Sequence, residues 1–220
     1  RIRIGEVADT GGTSGVMYAI TDNLNPKEIE RVNHSAHVNH TDENPSIGKL
    51  LCINGAGIQY RWLRDITGKN SYDHMNDEVA KVAIGSDGVI VLPFGNGAER
   101  MLYNKNIGTH ISNVNLNVHS HGHLYRAGLE GIAFSFVYGI GLMKNDNTPM
   151  HVIRAGNDNL FRSEIFAKTV ASLIDSDIEI YNTTGAIGAA RAAGLVDGER
   201  IPLDEYYQKK FINDVERRMK

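Results

Sequence analysis

Between Met150 and Gly194 short apolar runs alternate with longer amphipathic ones. Met150–Ile153 reads as a strand, Arg154–Asn159 as a turn and Leu160–Leu173 as a helix. Asp177–Tyr181 reads as a second strand, followed by the turn Asn182–Thr184 and a helix from Gly185 to about Gly194. Strand, helix, strand, helix at this spacing implies parallel pairing with right-handed crossovers. The class is therefore α/β. An amphipathic helix over Leu203–Met219 closes the chain, and its exposed face is the expected contact of a homodimer.

The rest of the chain fits around that unit. Asp9-Thr10-Gly11-Gly12-Thr13-Ser14-Gly15-Val16 lies between Arg1–Ala8 and Met17–Thr21, which run apolar or alternate like short strands. The glycines thus sit at the tip of a hairpin. Asn23–Asn44 is polar and loop-like. Lys49–Ile53 reads as a buried strand, and Asn54-Gly55-Ala56-Gly57 turns into a helix whose Ile58, Trp62, Leu63 and Ile66 form one packed stripe. Ser71 is placed to cap a helix over Tyr72–Ala83. Gly88–Leu92 looks too apolar to be half-exposed, with Pro93 ending its ladder. Phe94–Asn106 is an irregular loop. His119–Leu142 is the longest helical stretch, and Ala127, Gly128, Gly131, Ser135 and Gly139 on its stripe imply close approach to a neighbour.

Composition narrows the function. A chain of 220 residues supports one sizeable core or two small ones. Its net charge of −3 gives no electrostatic case for nucleic acid or an anionic membrane. The single cysteine, Cys52, forbids an internal disulfide and suits a reducing compartment, so a cytoplasmic protein is expected. No apolar run reaches membrane-spanning length. The chain begins at Arg1, inside what reads as a strand, and is expected to be cut from something longer.

Glycines at the tip let the backbone turn its amides toward one point, and Thr13 and Ser14 add hydroxyls there. Such a tip suits an anionic phosphate, although the same residues make a plain hairpin turn. In parallel sheets, ligands sit where strand ends lead into helix N-termini. Ala155-Gly156-Asn157 and Asn54-Gly55-Ala56-Gly57 both meet that description. Other groups read as structural. His119-Ser120-His121-Gly122-His123 has the density of a metal site, but members of a helical His-x-His-x-His diverge, so no metal ligand is assigned. Cys52 lacks a companion base and reads as a core residue. Arg126 with Glu130, and Glu99 with Arg100, read as local ion pairs, and the Lys209–Arg218 charges as a solvated face.

The order of these segments carries a resemblance. Gly12-Thr13-Ser14-Gly15-Val16, then Gly55 and Gln59 before Trp62-Leu63-Arg64-Asp65, then Leu92-Pro93-Phe94 with Gly97, Glu99 and Arg100, resemble the C-terminal half of the FGGY carbohydrate kinases. The series continues through His123–Ala133, Arg154–Phe161 and Gly185–Ala190, covering Gly5 to Gly198. Within the family the chain is most similar to the xylulokinases. The resemblance implies a ribonuclease-H-like domain of the actin–hexokinase ATPase type, forming a single C-terminal nucleotide-binding domain over residues 1–220. It implies ATP and Mg²⁺ as cofactors, ATP/ADP as partners, and transfer of the γ-phosphate to a sugar, D-xylulose in the first instance. Gly12, Thr13 and Ser14 inherit the phosphate contacts. Gly55 and Gln59 inherit the nucleotide contact of the next helix start, although Gly57 and Arg61 fit the same spacing. Gly156, Asn157 and Asn159 inherit the adenine loop. Arg154 and Ala155 replace two glycines there and are expected to narrow the pocket.

By the same resemblance the sugar site and the catalytic aspartate belong upstream of Arg1, so no catalytic residue is expected within this chain. Asp9 lies outside the family's Gly-Asp motif and is not assigned as the base. A kinase for another sugar or polyol of the family (ribulose, gluconate or glycerol) and a non-catalytic nucleotide-binding module are the alternatives.

Overall fold

The computed structural model describes residues 3–174 and 176–188. The chain divides into two units, 1–181 and 182–220. In the second, residues 185–188 are helical. The remainder of the expected Gly185–Gly194 helix, and the Leu203–Met219 helix, lie outside the described residues.

The first unit is built on a six-stranded sheet. Its strands are β1 (Gly5–Gly11), β2 (Gly15–Thr21), β3 (Asn33–Ala36), β4 (Ile47–Ile53), β7 (Met150–Gly156) and β8 (Asp177–Tyr181), in the order β3-β4-β2-β1-β7-β8. The hairpin β1–β2 closes with Gly11 opposite Gly15, leaving Gly12, Thr13 and Ser14 at the tip. β1, β7 and β8 run parallel, as the alternating sequence requires, and the other three pairings are antiparallel. A second, two-stranded sheet pairs β5 (Ile90–Phe94) with β6 (Gly108–Ser112).

Four helices complete the unit: α1 (Gly57–Ile66), α2 (Tyr72–Val79), α3 (His121–Asn145) and α4 (Glu164–Ile174). The small residues of α3 do what their spacing implied. A Cβ on Gly131 would lie 2.0 Å from the Val91 carbonyl oxygen, so α3 and β5 touch backbone to backbone. Phe136 of α3, Phe161 and Phe166 of α4 meet edge to face, with centroids 5.3–6.3 Å apart.

Three expectations are corrected. The Asn23–Asn44 stretch contains β3, which a polar sequence conceals because its pairing is set by β4, Asn33 opposite Leu50. β5 is half-exposed, with Ile90 and Leu92 turned outward, and Pro93 pairs with Thr109 inside the ladder. A strand with one partner has no second ladder for proline to break. On α1 the buried residues are Gln59, Tyr60 and Leu63, while Trp62 and Ile66 are 44% and 54% exposed. The helix is therefore rotated from the stripe its apolar residues suggest.

One buried ion pair fixes the 23–46 excursion. Lys49 is fully buried on β4, and its Nζ donates to Asp146 Oδ2 at 2.5 Å, the Asp146 carbonyl at 3.0 Å and Thr148 Oγ1 at 2.9 Å. Asp146 Oδ1 accepts the Lys27 and Glu28 amides. Burial alone would raise the Asp146 carboxyl, but the Lys49 ammonium and those two amides hold it below the usual carboxylate range.

Candidate functional site: a cleft at the hairpin tip

The tip of β1–β2 opens into a cleft of 580 Å³, within the ~300–1,000 Å³ typical of small-molecule sites. Its floor is Gly11, Gly12 and Thr13, one wall comes from Gly57 and Arg61 of α1, and the opposite wall from Asn159 and Arg162. The start of α2, Ser71 to Asn76, closes one end.

Backbone hydrogen bonds set this geometry. Gly57 N–H donates to the Gly12 carbonyl at 2.9 Å and Ile58 N–H to the Thr13 carbonyl at 3.1 Å. The first amides of α1 are thus spent on the hairpin. A side chain at 57 would put Cβ 2.5 Å from the Gly12 oxygen, so only glycine permits this approach. Among the described residues no protein acceptor receives the N–H of Gly12, Thr13 or Ser14, and these donors remain for a ligand.

The side-chain lining is cationic and polar. Arg61 and Arg162 are both exposed on the cleft, and Asp73 is the one carboxylate among the lining residues. Asn159 adopts a left-handed φ of 48°, and its Nδ2 lies 4.0 Å from where a Cβ on Gly12 would stand. The α2 end is stiffened by Tyr60, whose hydroxyl donates to Asn76 Oδ1 at 3.1 Å and whose ring stacks on Tyr72 at 5.7 Å. Ser71 caps α2 by accepting the Asp73 N–H, as its position implied.

The structure divides the sequence-derived site residues. Gly12, Thr13 and Asn159 share the cleft. Ser14 does not line it: its hydroxyl donates to Asn54 Oδ1, and Asn54 Nδ2 donates on to Glu99. Gly55 and Gln59 line a different cavity. Of the two registers open in the sequence, Gly57 with Arg61 faces the hairpin, one helical turn apart on the same side of α1. Gly156 pairs with Tyr181 inside the sheet, and Asn157 donates its amide to the Tyr181 carbonyl at 2.7 Å. Arg162 and Tyr72 carried no sequence signal, because chain neighbours said nothing of their convergence.

Arg154 and Ala155 do not narrow the cleft. Both belong to β7, where Ala155 is buried and Arg154 bridges Glu6 at 2.8 Å and Glu179 at 2.9 Å across the sheet. Asp9, three residues before the tip, is buried with both carboxylate oxygens unpartnered, and burial pushes its carboxyl well above the ordinary range. It does not line the cleft. Burial also raises the Cys52 thiol, which disfavours a nucleophilic thiolate. His123 accepts the Ser120 N–H in the α3 cap, and its Nε2 faces Asp87.

No family model matches the chain. It is 27% identical over 191 residues to the gluconokinase of Bacillus subtilis strain 168, covering 81% of this chain and 36% of that one. Among solved structures it superposes on xylulose kinase from Rhodospirillum rubrum with a TM-score of 0.74 and 21% identity, covering 93% of this chain and 41% of that one. It superposes on Plasmodium falciparum glycerol kinase with ADP at a TM-score of 0.75 and 23% identity, covering 90% and 40%. The fold is that of the actin–hexokinase ATPases. The resemblance to the FGGY carbohydrate kinases holds, since the relatives in sequence and in fold are sugar kinases. The chain spans little more than a third of the gluconokinase it matches. No described helix is long and apolar enough to cross a membrane.

Proposed function

We propose that this chain is the nucleotide-binding, C-terminal part of an ATP-dependent carbohydrate kinase. One observation carries the reading: the free amides at Gly12 and Thr13 converge with the Arg61 and Arg162 guanidinium groups on one cleft. Amide donors on a turn and guanidinium forks together suit an oligophosphate. Asn159, set against the hairpin, and the polar α2 end around Tyr72 and Asn76 then serve the nucleoside. The roles of Gly12, Thr13 and Asn159 follow the inherited assignment, with Gly57 and Arg61 in place of Gly55 and Gln59.

The cleft binds and orients, and the general base is assigned elsewhere. Asp9 is turned into the core, burial raises its carboxyl, and it does not line the cleft, so it is not placed to accept a proton from an acceptor hydroxyl. The base and the main sugar contacts are assigned to a segment outside this chain. There the acceptor oxygen bonds to the γ-phosphorus as the bond to the ADP oxygen breaks in line, and the hydroxyl proton passes to the base. Among the described residues no three acidic, histidine or cysteine side chains gather to hold a metal. Mg²⁺ would enter on the phosphates, in keeping with its preference for phosphate and water ligands, and supply charge neutralisation during transfer.

D-Xylulose, giving D-xylulose 5-phosphate, is the first acceptor, on the sequence likeness to xylulokinases. Gluconate is the second, favoured by the 27% identity to a gluconokinase. The test is ATP consumption by the product of the complete gene, offered D-xylulose, D-gluconate and glycerol in turn. Turnover on one of them supports the kinase reading and names the acceptor. MgADP binding without turnover on any sugar would replace it with a nucleotide-binding module.

A further inference from the structure

Beside the hairpin cleft, though not in its lining, Ser14 opens a chain of three side chains. Its hydroxyl donates to Asn54 Oδ1 at 3.1 Å. Asn54 Nδ2 in turn donates to the Asn96 carbonyl at 3.2 Å and to Glu99 Oε1 at 3.3 Å. Both amide protons of Asn54 are thus committed to acceptors. Turning the amide over would set its oxygen against two other oxygens, so its orientation is fixed. The direction of the Ser14 proton is fixed with it.

The backbone aims Glu99 at this contact. Glu99 opens the turn Glu99–Leu102 with a φ of 52°, in the left-handed region that is costly for a non-glycine residue. Its carbonyl accepts the Asn104 N–H at 2.7 Å. The local pair with Arg100 that the sequence suggests does not form. Among the described residues Glu99 makes no ion pair and its Oε2 has no partner. The side chain is exposed.

These directions decide what the tip can receive. With its proton spent on Asn54, Ser14 Oγ has only lone pairs left to offer. The Ser14 N–H, like those of Gly12 and Thr13, has no acceptor among the described residues. The tip backbone therefore receives an anion, whereas the Ser14 hydroxyl and the free Glu99 oxygen receive donors. A phosphate oxygen placed on these two would be repelled by both. A hydrated divalent cation carried on a phosphate meets both demands, since Mg²⁺ takes oxygen ligands and keeps several waters. One carboxylate and one hydroxyl are too few to strip it of that water. We infer that Ser14 Oγ and Glu99 accept hydrogen bonds from the water shell of the nucleotide's Mg²⁺, with Asn54 as the positioning residue between them.

This inference rests on the nucleotide reading, and metal-free nucleotide tells the two apart. The 220-residue chain is titrated by calorimetry with ADP, once in EDTA and once in excess Mg²⁺. The expected result is ADP binding tightened about tenfold by Mg²⁺, with most of that gain lost in Glu99→Gln and in Ser14→Ala. Ser14→Thr, which keeps the hydroxyl, should keep the gain. Metal-free ADP should bind equally well to every variant. Glu99 is exposed, so Glu99→Gln is expected to fold even if a change at Ser14 disturbs the hairpin. Equal weakening of metal-free and Mg²⁺-bound ADP overturns the inference, because the three residues would then only hold the tip. So does a parent chain indifferent to Mg²⁺, or a Mg²⁺ gain that both variants leave intact. A chain that binds neither form overturns the nucleotide reading itself, and this inference with it.

Discussion

Asp9 shows how a single residue separates geometry from chemistry. It sits three positions before the hairpin tip, where a carboxylate invites a catalytic reading, yet both its oxygens are buried and unpartnered. Desolvation raises its carboxyl, and the nearby Thr10 amide dipole offsets only part of that. The unfolded chain loses this proton near the ordinary value of 3.8 and the folded chain only at higher pH. Stability therefore falls as pH rises from that value to the folded value, and is level above it. Asp9→Asn, which keeps the shape and removes the titration, should gain on the parent as pH rises, by about 1–3 kcal/mol at neutral pH. Thermal melts of both proteins from about pH 4 upward to neutrality measure this, and a difference constant over that range would contradict it. A sequence shows that Asp9 is acidic and near a turn. Whether it faces solvent or core depends on strand phase, and β1 turns Val7, Asp9 and Gly11 inward together.

At the scale of elements, the hairpin and α1 form one device. Two backbone bonds, 2.9 and 3.1 Å long, tie the tip to the helix start, and Gly57 makes room for them. Gly57→Ala is expected to push the tip away, lowering stability by about 1–3 kcal/mol and weakening MgADP binding in parallel. Urea melts and calorimetric titration report the two effects; unchanged values for both would sink the coupling. The hairpin, the long helix α3 and the parallel pair β7–β8 were legible in the sequence, because alternation, small-residue stripes and strand–helix spacing are local signals. β3 and the rotation of α1 were not. β3 is polar and becomes a strand only through β4, and α1 is turned by what packs on it: Tyr60 on Tyr72, Leu63 under α3. The same rotation decides the site, bringing Arg61 to the hairpin and carrying Gln59 to a separate cavity.

For the molecule as a whole, a mixed sheet holds the glycine hairpin where the chain's polar and cationic groups converge. The resemblance made the hairpin and Asn159 visible in advance. It left the Gly57–Arg61 register open and gave no hint of Arg162, since the latter joins the cleft only through the fold of the β7–α4 connection. Sugar kinases related in sequence and in fold share this frame. The most direct measurement is calorimetric titration of the 220-residue chain with MgADP, repeated on Arg61→Ala. The nucleotide reading requires saturable binding at one site, weakened roughly tenfold or more by loss of the charged hydrogen-bonding side chain. A folded chain that binds no MgADP, or binds it equally well without Arg61, would contradict it.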